Sequence, residues 1–125
     1  MIAIVDDDVS VRDATKHLIR SLGYAAMTFG SAEEYLQSDS IEGTSCLITD
    51  LRMPGMSGIE LQERLIANGY RIPIIFVTAF FDENTRSRTL RNGAFGFLNK
   101  PFEDESLIRC LDKALKSDEA GFAQQ

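Results

Sequence analysis

The chain has 125 residues, a length typical of one domain, and 44% of its residues are hydrophobic and 26% charged. This composition excludes a disordered chain, a collagen and a disulfide-stabilised miniprotein. The net charge of −6 argues against direct, non-specific binding to nucleic acid or to an anionic membrane. No apolar run approaches the roughly 20 residues of a membrane span and no secretory signal is recognisable, so we expect a cytoplasmic domain.

Five short apolar or β-branched runs are predicted to form strands. They occupy residues 2–5, 24–29, 46–49, 72–78 and 95–98. Their apolar residues do not alternate cleanly with polar ones, which is typical of strands that are covered on both faces of a parallel sheet.

The segments between and after these runs are predicted to form helices. Ser10 is the expected N-cap of the first helix, Gly23 ends it, and its apolar residues at helical spacing are Val11, Ala14, Leu18 and Leu22. Ser31 and Ser57 each begin a capping-box pattern with a glutamate three residues later, which predicts the starts of the second and third helices.

The fourth predicted helix, residues 82–92, is the least apolar. The fifth has a clear apolar face, formed by Leu107, Ile108, Leu111, Ala114 and Leu115. Alternation of strands and helices predicts an α/β fold, a single doubly wound (βα)5 domain whose parallel sheet carries helices on both faces. We assign this domain to residues 1–117 and expect 118–125 to be a flexible tail or the start of a linker.

Polar residues follow four of the five predicted strands, at the sheet edge where ligands bind in such folds. They are Asp6, Asp7 and Asp8, then Asp50, then Thr78, and finally Lys100. Clustered carboxylates repel one another unless a cation offsets them, and oxygen ligands without His or Cys suit Mg²⁺. A lysine and a hydroxyl beside such an ion are what a transferring phosphoryl group needs, and a carboxylate can itself accept that group.

Each residue also has an ordinary explanation when taken alone. The three consecutive acids could cap a helix, Asp50 and Lys100 could be loop residues, and Thr78 could reflect β propensity. Their common position after strands favours the joint interpretation. The glycine-rich turn at residues 53–58 matches no phosphate-binding loop motif, and we interpret it as a tight turn before the third helix.

These motifs, in this order, resemble the receiver domains of bacterial two-component response regulators. The resemblance spans residues 2 to about 115 and rests on the acids at 6–8, the segment 49–58, Val77-Thr78-Ala79 and Lys100-Pro101-Phe102. The stretch 93–104 is most similar to the nitrogen-fixation (FixJ-like) branch. The resemblance implies a sheet of order 2-1-3-4-5 and a phosphorylation-dependent signalling switch rather than an enzyme, although one that assists its own phosphotransfer and slow autodephosphorylation.

The resemblance also implies roles for individual residues. Asp50 would be the phosphoacceptor. Mg²⁺ would be bound by Asp7, by Asp50 and by the backbone carbonyl of Arg52, with Asp6 acting through water.

Thr78 and Lys100 would hold phosphoryl oxygens, and the Lys100–Pro101 bond would be cis. Thr78 and Phe97 would form the switch pair, although Phe97 lacks the hydroxyl of the tyrosine that often stands there. Arg52 and Phe80, each two residues after a site residue, would flank the path of hydrolytic water and slow dephosphorylation.

Three kinds of partner follow from the resemblance. A sensor histidine kinase would donate the phosphoryl group, and an output domain or partner protein would receive the signal, in keeping with transcription regulation. The fourth helix, fifth strand and fifth helix would form the output face, through which the phosphorylated chain would pair as a homodimer. Its mixed charges would be Arg86, Arg88 and Arg91 near Asp104, Glu105 and Asp112.

Two other function classes compete. A haloacid-dehalogenase-like phosphatase would use Asp6 as nucleophile and Asp8 as acid/base, but it leaves Asp50 unexplained and lacks a late acidic metal pair. An interaction module of the same fold would take no phosphate at all. The aspartate that takes up label from a small phosphodonor, Asp50, Asp6 or neither, distinguishes the three.

Overall fold

In the computed structural model the backbone is described for residues 1–123 and the side chains for residues 1–116. Within this part, five strands alternate with five helices in the predicted order. The strands are β1 (Ile2–Val5), β2 (Ala26–Phe29), β3 (Cys46–Asp50), β4 (Ile74–Thr78) and β5 (Gly96–Asn99). The helices are α1 (Val9–Ser21), α2 (Ala32–Gln37), α3 (Gly58–Ala67), α4 (Glu83–Arg91) and α5 (Asp104–Ala123).

All neighbouring strands pair in parallel, and their order is β2-β1-β3-β4-β5, which confirms the predicted fold class. Three strands begin later than predicted: β2 and β4 by two residues and β5 by one. Tyr24 donates its backbone N–H to Ile19 at the end of α1 rather than to the sheet. β4 begins only after Pro73, which has no N–H to donate.

The sheet separates two apolar cores. On one face, alternate residues of the central strands pack against Ile19 of α1 and against Leu107 and Leu111 of α5. On the other face, they pack against Tyr35 of α2 and Leu61 of α3. Strands covered on both faces explain the unbroken apolar runs in the sequence.

The first helix differs from its predicted form in two ways. Its N-cap is Asp8, whose side chain accepts hydrogen bonds from the backbone N–H groups of Ser10 and Val11, so Ser10 lies inside the helix. Its fully buried residues are Thr15 and Ile19, whereas Ala14 is exposed. Thr15 can be buried because its hydroxyl donates to the carbonyl of Val11.

Of the two predicted capping boxes, one is complete and the other is only partly formed. The capping box of Ser57 and Glu60 is complete. Ser31 caps α2, but the carboxylate of Glu34 accepts from the N–H of Gly30 rather than from that of Ser31.

Helix α4 is held to α3 largely by polar contacts. Thr89 is the one fully buried residue of α4, and its carbonyl accepts a hydrogen bond from Nε2 of the buried Gln62, at 3.1 Å. Arg88 pairs with both carboxylate oxygens of Glu63, at 3.0 and 3.1 Å. Arg88 therefore faces α3 and not the acids of the fifth helix, which corrects the expected charge arrangement.

The part of the chain that the structure describes contains no helix long and apolar enough to cross a membrane. The prediction of a flexible tail at 118–125 falls mainly on side chains outside the described residues, and it stays a prediction.

Candidate functional site

Asp6 directly follows β1 and is almost fully buried, with 2% of its surface exposed. Its Oδ2 accepts a hydrogen bond from Nζ of Lys100 at 2.8 Å, and its Oδ1 accepts one from the N–H of Asp8 at 2.9 Å. Burial raises the pKa of Asp6, because the loss of hydration outweighs these two hydrogen bonds. The carboxylate is thus held in place at an energetic cost that a further cation would reduce.

Asp50 is the last residue of β3, with 7% of its surface exposed. Its Oδ2 accepts from Nζ of Lys100 at 2.9 Å, and its Oδ1 accepts from the backbone N–H of Arg52 at 3.2 Å. Burial alone would lower the pKa of Lys100, but its hydrogen bonds to Asp6 and Asp50 outweigh burial and raise it. Lys100 therefore carries its charge at neutral pH and shares it between two carboxylates.

Asp7 completes an acidic cluster at this edge of the sheet. Its side chain is exposed, and Asp6, Asp7 and Asp50 offer oxygen atoms that all lie within 4.8 Å of one another. One lysine cannot neutralise three carboxylates, and a set of hard oxygen ligands at this spacing fits Mg²⁺. The structure thus brings together the acids that the sequence analysis grouped from the ends of two different strands.

Thr78 and Lys100 are joined through the backbone. The N–H of Lys100 donates to the carbonyl of Thr78 at 2.7 Å, and the Lys100–Pro101 peptide bond is cis. The hydroxyl of Thr78 accepts from the N–H of Phe80 at 3.0 Å and donates to the carbonyl of the same residue at 3.3 Å. Thr78 therefore lies at the same edge of the sheet as the acids, but its hydroxyl is hydrogen-bonded to the loop that follows β4 and not to the acids.

The two residues predicted to flank the path of water lie against each other. The guanidinium carbon of Arg52 lies 5.2 Å from the ring centroid of Phe80, a cation–π contact. Arg52 follows β3 and Phe80 follows β4, so this contact joins the two loops beside Asp50. Phe80 is 62% exposed, so much of its ring lies in solvent beside the site.

Phe97 lies opposite Phe76 in the sheet, on the same face as Thr78, which is two residues after Phe76. The ring of Phe81 contacts that of Phe97 edge to face, with centroids 6.0 Å apart, and Phe81 is 53% exposed. Phe81 was not among the residues predicted from the sequence. The sequence does contain a signal for this residue, since Phe80 and Phe81 are adjacent aromatic residues soon after the strand that ends in Thr78.

Gly58, at the start of α3, was also missed. A Cβ atom there would lie 2.3 Å from the carbonyl oxygen of Asp50, so the helix can approach the site strand only because this side chain is absent. Gly58 does not have a positive φ, unlike Gly55 in the same turn. Its role is therefore close approach and not turn geometry.

The phosphatase hypothesis is not favoured by this geometry. Asp6 is more deeply buried than Asp50, with 2% of its surface exposed against 7%, and the side chain of Asp8 caps α1 instead of facing the acidic cluster. Asp8 is therefore not placed as an acid/base beside Asp6.

Comparison with known proteins agrees with the geometry. Residues 2–112 match the family model described as the response regulator receiver domain. Nodulation protein W of Bradyrhizobium diazoefficiens is 41% identical over 118 residues, which are 94% of this chain and 52% of that protein. FixJ, a transcriptional regulatory protein of the same organism, is 36% identical over 120 residues, 94% of this chain and 58% of its own. The chain thus spans about half the length of the curated relatives it matches.

Among solved structures, the response regulator StyR superposes with a TM-score of 0.89 at 43% identity, covering 98% of this chain and 63% of that chain. The family match covers most of the sequence, and the fold agrees with that of this solved structure. The chain belongs to the response regulator receiver domains, a family of phosphorylation-dependent switches.

Proposed function

We propose that this chain accepts a phosphoryl group on Asp50 from a phosphohistidine of a sensor histidine kinase in the cytoplasm. The observation that carries the proposal is the position of Lys100, whose ammonium group bonds to Asp50 and Asp6 at once. That arrangement places a positive charge beside the proposed acceptor oxygen, where charge develops during phosphoryl transfer.

The transfer can be written with Asp50 as the nucleophile. A carboxylate oxygen of Asp50 forms the new bond to phosphorus as the bond between phosphorus and the imidazole nitrogen breaks, and the imidazole keeps that electron pair. Lys100 then moves its hydrogen bond from the carboxylate to a phosphoryl oxygen. The hydroxyl of Thr78 leaves the Phe80 backbone and donates to another phosphoryl oxygen.

Asp7, Asp50 and the backbone carbonyl of Arg52 are the proposed direct ligands of Mg²⁺, with Asp6 acting through water. The spacing of the three carboxylates, with oxygen atoms within 4.8 Å of one another, supports this assignment. When bound, the ion supplies positive charge that offsets the acids and the incoming phosphoryl oxygens.

The proposed output change begins at Thr78. When its hydroxyl turns to the phosphoryl group, the loop carrying Phe80 and Phe81 loses a restraint, and Phe97, which contacts Phe81, is free to change its packing. Helix α4 follows the same loop and is held largely by polar contacts, so α4, β5 and α5 form the proposed switching face.

Arg52 and Phe80 are the proposed brakes on dephosphorylation. Their contact crosses the two loops beside Asp50 and would cover the side from which water attacks the phosphoryl group. Neither side chain offers a carboxylate or amide that could orient water, so we expect a comparatively long-lived phosphorylated form.

An output domain or a separate partner protein, with a role in transcription, is the proposed receiver of the signal. Pairing of two phosphorylated chains through the switching face is the proposed route, and the net charge of −6 argues against direct contact between this domain and DNA. Sedimentation with and without beryllofluoride tests the pairing. An unchanged mass with unchanged amide exchange at residues 80–115 would remove the switch from the proposal.

The site assignment is tested by labelling with acetyl phosphate and Mg²⁺, followed by mapping of the modified peptide. We expect label on Asp50 and its loss in Asp50→Asn, which should stay folded because the change is nearly isosteric. The matched control is Asp8→Asn, which removes an exposed acid of the same edge and should still be labelled. Label on Asp6 would support the phosphatase hypothesis instead, and no label at all would support an interaction module.

A further inference from the structure

Arg12, the fourth residue of α1, reaches back to the end of β1. Its Nη1 donates a hydrogen bond to the backbone carbonyl of Asp6 at 2.7 Å, and its side chain is half-buried. The contact lies one residue beyond the sheet, where β1 has ended and its carbonyl needs another donor. A hydrogen bond from a charged donor is short and stronger than a neutral one, so it holds this carbonyl firmly.

The Arg12 contact closes a ring of hydrogen bonds around the loop between β1 and α1. The N–H of Asp8 donates to Oδ1 of Asp6 at 2.9 Å, and the carbonyl of Asp8 accepts from the N–H of Arg12 at 2.9 Å. The guanidinium of Arg12 completes the ring by donating to the backbone carbonyl of Asp6. Asp7 is the residue enclosed by this ring, so its backbone direction is fixed although its carboxylate is exposed.

The guanidinium of Arg12 also lies beside the end of β2. A Cβ atom at Gly30, just after β2, would lie at an ordinary contact distance of 3.5 Å from Nη1 of Arg12. The half-buried side chain thus lies between the end of β2 and the loop that it holds.

We propose that Arg12 is a positioning residue of the acidic cluster, which holds the Asp6 carbonyl so that the carboxylate of Asp7 meets those of Asp6 and Asp50. The inference rests on the proposed function, because the metal and the phosphoryl group at this site are themselves proposed.

An electrostatic role and a positioning role of Arg12 predict opposite changes in Mg²⁺ affinity when the residue is replaced, so the measured direction distinguishes them. The guanidinium is positive and close to the acids, so its electrostatic effect alone would weaken Mg²⁺ binding, and removing it would tighten that binding. A positioning role predicts the reverse, since a loop released from its restraint no longer presents Asp7 in the right direction.

The experiment compares Arg12→Met, which keeps the aliphatic stem and removes the donors, with Arg12→Lys, which keeps the charge but replaces the planar guanidinium with a compact ammonium group. The control is Arg20→Met, an exposed arginine near the end of the same helix. Mg²⁺ affinity is measured by calorimetry. We expect about a tenfold loss in Arg12→Met, the change that one charge-assisted hydrogen bond represents, an intermediate loss in Arg12→Lys, and no change in Arg20→Met. Unchanged or tighter binding in Arg12→Met would overturn the proposal.

A second readout needs no metal. Amide exchange at Asp8, whose N–H donates to Oδ1 of Asp6, should rise about tenfold in Arg12→Met while Ile48 in β3 stays protected, and equal exchange at Asp8 in parent and variant would also overturn the proposal. If the parent chain binds no Mg²⁺, the proposed function fails and this exchange result alone decides the role of Arg12. If Arg12→Met does not fold, Arg12→Lys carries both readouts, with an intermediate effect expected and parental values refuting it.

Discussion

Removing the ammonium of Lys100 tests the electrostatic balance on which the site depends. In Lys100→Met the stem is kept, and Asp6 and Asp50 lose the donor that each contacts at under 3 Å. Two nearly buried carboxylates then face each other without a cation. We expect the metal-free variant to be markedly less stable at pH 7 than the parent protein.

The magnitude has a lower and an upper bound. Lys100 offsets the mutual repulsion of two unit charges no more than 4.8 Å apart, and leaving that repulsion uncompensated costs about 3 kcal/mol or more at an effective dielectric constant of about 20. The upper bound is the cost of protonating one of them instead, which for a carboxyl with an ordinary pKa of 3.8 is about 4 kcal/mol at pH 7. We therefore expect a loss of 3 to 4 kcal/mol, roughly 10 °C in Tm for a chain of this size.

The sign of the pH dependence follows from the same bound. Losing Lys100 removes the hydrogen bond that lowers the pKa of Asp6, so burial raises that pKa further above its unfolded value. A group with a raised folded-state pKa destabilises the fold increasingly as the pH rises, so the deficit of the variant grows from acid to neutral pH. The deficit of the variant should shrink to below about 2 kcal/mol at pH 5. Saturating Mg²⁺ should narrow it at pH 7, because the ion replaces the missing charge.

Thermal and urea unfolding at pH 5 and pH 7, with and without Mg²⁺, measure these differences. Lys113→Met, which removes an exposed lysine of α5, is the control for the loss of one positive charge. A deficit under about 1 kcal/mol at pH 7 without Mg²⁺, or one that does not change with pH, would refute the claim that Lys100 offsets two carboxylates.

Three further predictions concern other parts of the site. Asp7→Ala should weaken Mg²⁺ binding more than Asp8→Ala does, because it removes a proposed direct ligand and its charge; equal titrations of the two variants by calorimetry would place the metal elsewhere. Phe80→Glu should speed loss of the phosphoryl group from Asp50, because a carboxylate near the path can orient water; an unchanged decay of the labelled protein would mean that the side chain lies away from that path. Gln62→Met should lower the free energy of unfolding by about 1 kcal/mol and raise amide exchange in α4 while β3 stays protected, since it removes the buried hydrogen bond between α3 and α4. An equal rise of exchange in α4 and β3 would contradict this.

The general architecture was predictable because it depends on periodicity and topology. Apolar runs separated by helical segments dictate a parallel sheet, and parallel strands bring their carboxyl ends to one edge, so Asp6, Asp50, Thr78 and Lys100 had to meet there. Asp6 and Lys100 are 94 positions apart in the chain, and β3 and β4 lie between their strands, so the shared edge of the sheet brings them near and the long side chain of Lys100 spans the remaining distance.

The failures have two physical causes: side-chain hydrogen bonds can override hydrophobic patterning, and some contacts join residues that are far apart in the chain. The buried face of α1 was misjudged because Thr15 satisfies its hydroxyl within the helix and can be buried, whereas Ala14 costs little to expose. The contact between Phe81 and Phe97, and the pairing of Arg88 with Glu63, join residues in separate elements of the fold. No spacing rule connects such residues, so only the folded geometry reveals them.

The close approach of Gly58 to the Asp50 carbonyl also determines how genetic variation would affect this protein. The Cβ atom of any other residue at position 58 would overlap the backbone of Asp50, and no change of side-chain rotamer can relieve an overlap at Cβ. In a saturation mutagenesis screen scored by signalling output, positions 50 and 58 would therefore look equally intolerant. If the same screen were scored by the yield of folded protein, the two positions would differ in their tolerance to substitution. Asp50 can be replaced without disturbing the backbone, whereas every replacement of Gly58 must push the third helix away from the sheet.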